Sequence, residues 1–295
     1  MQDLFDFIQF IRKKYMLENV YMMIEGLKCG IQAERLQSSI DPIGDFKLLK
    51  AVELSNNMEN LYETVLIDSP VGQFFFKYLE MKGLNNEAKQ GMKDFGAMQN
   101  YFSEENPENV RSILQKIWLE DFHCFCEKLN TTTWENMDNL LKLEGDLMSI
   151  QVIYNSFEDS DNKKEELRNS LCPSLGHLYP LHFYEIKSSK TLDELKMYLS
   201  SFPVYTGLLQ NLNDGNGDDT QNEQSLEDVM YKELCEAYSI SFDEQSNMTN
   251  FYAYVMLKEQ EIRNIGWMAE MISRNLDKND TRWNKFIVPF DISEN

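Results

Sequence analysis

A chain of 295 residues, 42% apolar and 12% aromatic, has enough material for a sizeable core without disulfide or metal staples, as one large domain or two medium ones. Its 49 acidic and 28 basic residues give a net charge of −21, which repels nucleic-acid phosphates and anionic headgroups and argues against a nucleic-acid partner. No run of about 18 apolar residues occurs, so no membrane-spanning helix is expected. Five cysteines at irregular spacings, Cys29, Cys124, Cys126, Cys172 and Cys235, suit reduced thiols in a cytosolic compartment. Asp3, Asp6, Glu18 and Glu25 interrupt the start, which reads as neither a signal nor a transit peptide.

Along the chain, apolar residues recur at three- and four-residue steps and period-two alternation is nearly absent, which predicts an all-α fold. Only 13 glycines and 7 prolines punctuate it. Asp68-Ser69-Pro70 offers a cap followed by proline in a first turn. Thr191-Leu-Asp-Glu194 is a capping box ahead of Leu195 and Leu199. Between them, Glu158 to Glu166 is a hydrophilic break. Asn213 to Ser225 lacks apolar anchors and is expected to be an exposed loop, with Gly215 to Gln224 at its centre.

Two patterns repeat internally. Met58-x-x-Leu61 leading to Ser69-Pro70-Val71 matches Leu192-x-x-Leu195 leading to Phe202-Pro203-Val204. Leu143-Glu-Gly-Asp-Leu-Met-Ser-Ile150 matches Lys258-Glu-Gln-Glu-Ile-Arg-Asn-Ile265, and more faintly Lys13-Lys-Tyr-Met-Leu-Glu-Asn-Val20. Two complete helical units and the tail of another are therefore expected: a tail over 1–41, a second unit over 42–160 and a third over 161–295. Superposing the helix around Leu147 on that around Ile262 should bring the Pro70 and Pro203 regions together.

Motifs for chemistry are incomplete. Glu120-x-x-His123 has di-iron spacing, but the chain has only His123, His177 and His182 and no second such pair. His123 with Cys124 and Cys126 makes at most half a zinc site, and two core-facing cysteines on a helix are the better reading. Asp214-x-Asn216-x-Asp218 begins like a calcium loop, yet Asp219 replaces the required glycine and Ser225 the bidentate glutamate. No phosphate-binding glycine loop or nucleophile elbow occurs. Asn130, Asn247 and Asn279 lie in glycosylation sequons that are expected to go unused. No metal, cofactor or catalytic residue is assigned.

The most informative helix is Phe251 to Ile272. Phe251, Val255, Ile262, Ile265, Ala269 and Ile272 share one side of a helical wheel, and Lys258 falls inside the same stripe. If that stripe meets the core, Lys258 either reaches water along its stem or is buried with Glu261 as its partner. Glu259 and Arg263 form a second spaced pair in the favourable order.

These residues also carry a resemblance. Phe251-Tyr-Ala-Tyr-Val-Met-Leu-Lys-Glu-Gln-Glu-Ile-Arg-Asn-Ile-Gly-Trp267 resembles the final long helix of the vacuolar-type proton ATPase d-subunit family, which is akin to archaeal and bacterial C subunits. Asn60 to Pro70, Leu119 to Leu129 and Leu178-Tyr-Pro180 agree in the same order. The likeness runs from about Phe10 to Phe290, and the family carries roughly one further helical unit ahead of the segment matching Ile11 to Leu27. It implies a funnel of pseudo-repeated helical units and a non-catalytic coupling role, with Lys258, Glu259, Glu261, Arg263, Asn264 and Trp267 as structural or coupling residues. The implied partners are the membrane proteolipid ring and the central rotor stalk. The implied place is peripheral, on the cytosolic face of vacuolar or other acidic endomembranes, held by protein contacts alone. An acidic helical scaffold for basic proteins is the alternative.

Overall fold

The computed structural model describes residues 2–31, 35–36, 38–46, 69–82, 106–205, 208, 226–244, 247–276, 283 and 287–288. Among them are nine α-helices, two 3-10 turns and no strand, as the three- and four-residue apolar spacing requires. The chain divides into two compact units, Met1–Phe125 and Cys126–Asn295. The loop expected around 213–225, Asp68 and Asn279 lie outside the described residues.

The first unit is built on α1 (Gln2–Lys28), α2 (Gly72–Met81) and α3 (Pro107–Cys126). Asn106 opens α3 by accepting the Glu108 amide at 3.0 Å, and Pro107 follows where no amide is needed. Phe7, Phe10 and Trp118 surround Phe122 at centroid distances of 5.3, 5.5 and 5.4 Å. The Trp118 indole donates to the Phe10 carbonyl at 2.9 Å, satisfying a buried donor. Proline 70 does not enter the first turn of α2: Val71 caps that helix, and Ser69 turns the chain by accepting the Val71 amide through its hydroxyl and the Gly72 amide through its carbonyl.

After α1 the chain returns across it. Asn19, 3% exposed, donates its amide to the Asp41 carbonyl at 3.0 Å and accepts the Asp41 amide at 2.8 Å. One side chain thus replaces the hydrogen bonding of a neighbouring strand. The following 3-10 turn, Pro42–Gly44, sits so close that a Cβ on Gly44 would lie 2.4 Å from the Tyr15 carbonyl carbon.

The second unit contains α4 (Thr131–Asn155), α5 (Asp161–Leu171), α6 (Phe183–Ser188), α7 (Leu192–Leu199), a 3-10 turn at Pro203–Tyr205, α8 (Leu226–Asp243) and α9 (Thr249–Ser273). Asn130 caps α4 by accepting the Thr133 amide at 2.9 Å, so the side chain of that sequon already serves the fold. Thr191 caps α7 by accepting the Glu194 amide, as the capping box predicts, while the Glu194 carboxylate reaches one residue further and accepts the Lys190 amide in place of that of Thr191. The hydrophilic break narrows to the turn before α5, because residues from Asp161 onward are already helical. Leu147, Ile150, Ile153, Leu195, Leu199 and Tyr205 lie in one buried cluster.

Three polar groups hold this unit together. Asp146, 2% exposed, accepts the Tyr205 hydroxyl at 2.5 Å and the His177 and Leu178 amides at 2.7 and 3.3 Å. Removal from water raises its pKa, and the three donors pull against that shift. Glu144 on α4 accepts hydroxyls from Tyr238 on α8 at 2.8 Å and Tyr252 on α9 at 2.7 Å. Buried Arg168 donates to the Ser156 hydroxyl and to the carbonyls of Ile153, Lys187 and Ser189. Those carbonyls lie at the C-terminal ends of α4 and α6, where the helix dipole favours a cation.

Candidate functional site

Helix α9 holds the family-like motif. Its start is held by Asn247, which accepts the Thr249 amide at 2.9 Å, and by the Thr133 hydroxyl, which accepts the Met248 amide at 3.2 Å. Its end is a left-handed Asn275, φ 53°, with the Leu276 amide returning to the Met271 carbonyl at 3.1 Å. The start is thereby tied to α4 through Thr133, and the end is closed by a local backbone cap.

The helix is turned the opposite way from the sequence expectation. Its buried residues are Thr249, Tyr252, Ala253, Met256, Gln260, Asn264 and Met271. The apolar stripe faces outward: Phe251 is 47% exposed, Ile262 71%, Ile265 54% and Ile272 67%. Tyr252, Ala253, Met256 and Met271 supply a second apolar face that meets α8 and α4. Burial of Tyr252 also satisfies Glu144, which the outward residues have no means to do. On neighbouring α8, Ile240 and Phe242 are exposed as well, and the Phe242 ring lies 6.2 Å from that of Tyr254.

The motif residues therefore split between two environments. Lys258 and Glu261 pair at 2.5 Å, but their side chains are 50% and 45% exposed, so the ion pair stands in water rather than in the core. The hydrogen bond and charge of Glu261 raise the Lys258 pKa. Glu259 and Trp267 are also exposed. Arg263 lies against Tyr231 of α8, its guanidinium carbon 3.4 Å from the ring centroid, as a cation over a π face. Asn264 is buried. It donates to the Val288 carbonyl at 2.7 Å, accepts the Val288 amide at 3.2 Å and takes a third bond from Gln260 at 3.0 Å.

Asn264 thus repeats the geometry of Asn19, and the two stand at the same place in the octets Lys13–Val20 and Lys258–Ile265. In each case the clamped residue precedes a proline, Pro42 or Pro289. Ser149 takes that place in the middle octet, where Asp146 holds the returning segment instead. The sequence signal for these clamps was an asparagine at a fixed octet position with an X-Pro pair 22 or 24 residues downstream.

No group of three or more potential metal-ligating side chains occurs among the described residues. Cys126 is buried and its thiol pKa is pushed up by desolvation, whereas Cys124 is exposed, so only one of the two cysteines faces the core. Burial also raises the Cys235 thiol, to about 11.

Fold and site define an all-helical protein whose long helices are clamped from within by buried polar side chains and whose last long helix turns an apolar face outward. The chain belongs to the ATP synthase (C/AC39) subunit family, whose profile matches residues 2–284. It is 31% identical over 290 residues to V-type proton ATPase subunit d of Dictyostelium discoideum, covering 98% of this chain and 73% of the relative. Subunit d of Saccharomyces cerevisiae is 30% identical over 270 residues, covering 91% and 70%. Subunit d2 of Arabidopsis thaliana is 28% identical over 269 residues, covering 91% and 69%.

Proposed function

We propose that this chain is a non-catalytic central-stalk coupling subunit of a vacuolar-type proton-translocating ATPase, linking the rotor stalk of the ATP-hydrolysing sector to the membrane proteolipid ring. The observation that carries this reading is similarity along nearly the whole chain to relatives named V-type proton ATPase subunit d. The job is transmission of torque, which asks for stiff helices and firm interfaces and not for a reacting group. Long helices cross-linked by Asn19, Glu144, Asp146, Arg168 and Asn264 suit that job.

In this reading the chain comprises pseudo-repeated units over 1–41, 42–160 and 161–295. The shared asparagine geometry of α1 and α9 supports the repeat. Arg263 and Asn264 fix α9 in its unit, while Lys258, Glu259, Glu261 and Trp267 belong to its outer side and serve coupling. No helix among the described residues is long and apolar enough to cross a membrane. Attachment to the cytosolic face of acidic endomembranes is accordingly assigned to contacts with other subunits.

Detergent extraction followed by affinity purification of the tagged chain tests this. The proteolipids and stalk subunits should be recovered with it. Recovery in soluble complexes alone would overturn the coupling role and favour an acidic scaffold.

A further inference from the structure

The outward stripe of α9 has a regularity that general stickiness does not require. From Phe251 the seam steps to Val255, Lys258, Ile262, Ile265, Ala269 and Ile272, so the intervals are four, three, four, three, four and three. This is the heptad rhythm of a helix that packs against another helix along its length. Val255, Ile262 and Ala269 form one seven-residue series, and Phe251, Lys258, Ile265 and Ile272 form the other. The seam spans about 30 Å at 1.5 Å per residue. Burial on the opposite side of the same helix shows that the seam is not what holds α9 to its own unit.

The flanks state the chemistry of the missing half. Glu259 and Glu261 stand beside the seam in the positions that meet charged residues of a partner helix, and the whole chain carries −21. A second copy would bring acid against acid there. Lys258 is the one charged residue within the seam, the kind of interruption that sets register at some cost in affinity.

We propose that α9 is one half of a two-helix interface, and that the other half is an α-helix of a partner protein with apolar residues in the same three-four rhythm and basic residues beside them. The inference rests on the reading of the chain as an assembly subunit and adds the residues and partner chemistry of one contact.

The test uses the tagged full chain expressed in cells and purified with its proton ATPase. Ile262→Glu and Ile265→Glu place charge on exposed positions, so helix content and the unfolding midpoint should stay as in the wild type. Retention in the complex should fall at least tenfold. Met197→Glu, at an exposed site on α7, should leave retention unchanged. A photo-crosslinking residue placed singly from 255 to 272 should capture one partner subunit at 255, 258, 262, 265 and 269, and much less at 263 and 270. Full retention of both glutamate variants would overturn the seam and leave the coupling role standing. So would crosslinks without the three-four rhythm, or crosslinks to a second copy or to another segment of this chain. A wild-type chain absent from the complex would overturn the coupling role and the seam together.

Discussion

Asn19 and Asn264 each hold a returning stretch of backbone through two hydrogen bonds from one amide. Alanine at either place leaves a buried amide and a buried carbonyl without partners, which costs about 1–3 kcal/mol. Asn19→Ala and Asn264→Ala should therefore destabilise by similar amounts in urea unfolding; a cost at only one would show that the shared geometry carries unequal energy. Lys258 and Glu261 behave differently because water already solvates both. Lys258→Met and Glu261→Ala should leave the thermal midpoint within error of wild type, and a large loss on either would place the pair in a drier setting than its exposure indicates. Asp146 supplies a pH test. Its folded pKa is raised by burial, so the folded state binds more protons than the unfolded state between the ordinary carboxylate range and that raised value. Stability from this group is fully present at the acid end, falls as pH rises through the folded pKa and is constant above it. In Asp146→Asn an amide nitrogen faces the Leu178 amide, costing about 1–2 kcal/mol. Urea midpoints from pH 4 to 8 should show the wild type's advantage shrinking as pH rises; a growing advantage would mean the three donors outweigh desolvation.

At the scale of elements, α4 and the segment after α5 are joined by close approach as much as by hydrogen bonding. A Cβ on Gly145 would lie 2.4 Å from the Leu175 carbonyl oxygen, and one on Gly176 would lie 2.0 Å from an Asp146 carboxylate oxygen. The absence of side chains lets backbone rest on helix, and that contact brings the His177 and Leu178 amides to Asp146. Gly145→Ala must push the segment outward, weakening the Asp146 bonds along with the packing. A loss of about 1–3 kcal/mol is expected, together with faster exchange of the His177 and Leu178 amides. Unchanged exchange would show that the helix moves instead. Arg168 acts between elements in the same sense, since one guanidinium takes carbonyls from the ends of α4 and α6.

At the scale of the molecule, the five thiols report burial without any labelled partner. Cys29 and Cys124 are exposed, and Cys126, Cys172 and Cys235 are buried. Burial both shields a thiol and disfavours its thiolate, the reactive form. Titration of the native protein with a disulfide reagent at neutral pH should modify two thiols rapidly and the remaining three only on unfolding. Rapid reaction of a third would mean that one of the two cores opens readily under native conditions.

The all-helical class, the helix cap at Thr191 and the family were legible in the order of the amino acids, because period, caps and motif order are local properties. The Lys258–Glu261 pair was legible for the same reason, being three residues apart on one helix. Which face of α9 lies inside is set by its packing in three dimensions. Periodicity identifies an apolar stripe, but Tyr252, Ala253, Met256 and Met271 make a second one opposite to it. The choice between them depends on what α8 and α4 offer, above all the Glu144 carboxylate that takes the Tyr238 and Tyr252 hydroxyls. The clamps at Asn19 and Asn264 left only an octet asparagine and a distant X-Pro pair as their trace, and Asp146 left none, since each is defined by where the chain returns 22 to 59 residues later. A buried polar side chain finds its partner through that return path, and no local pattern records it.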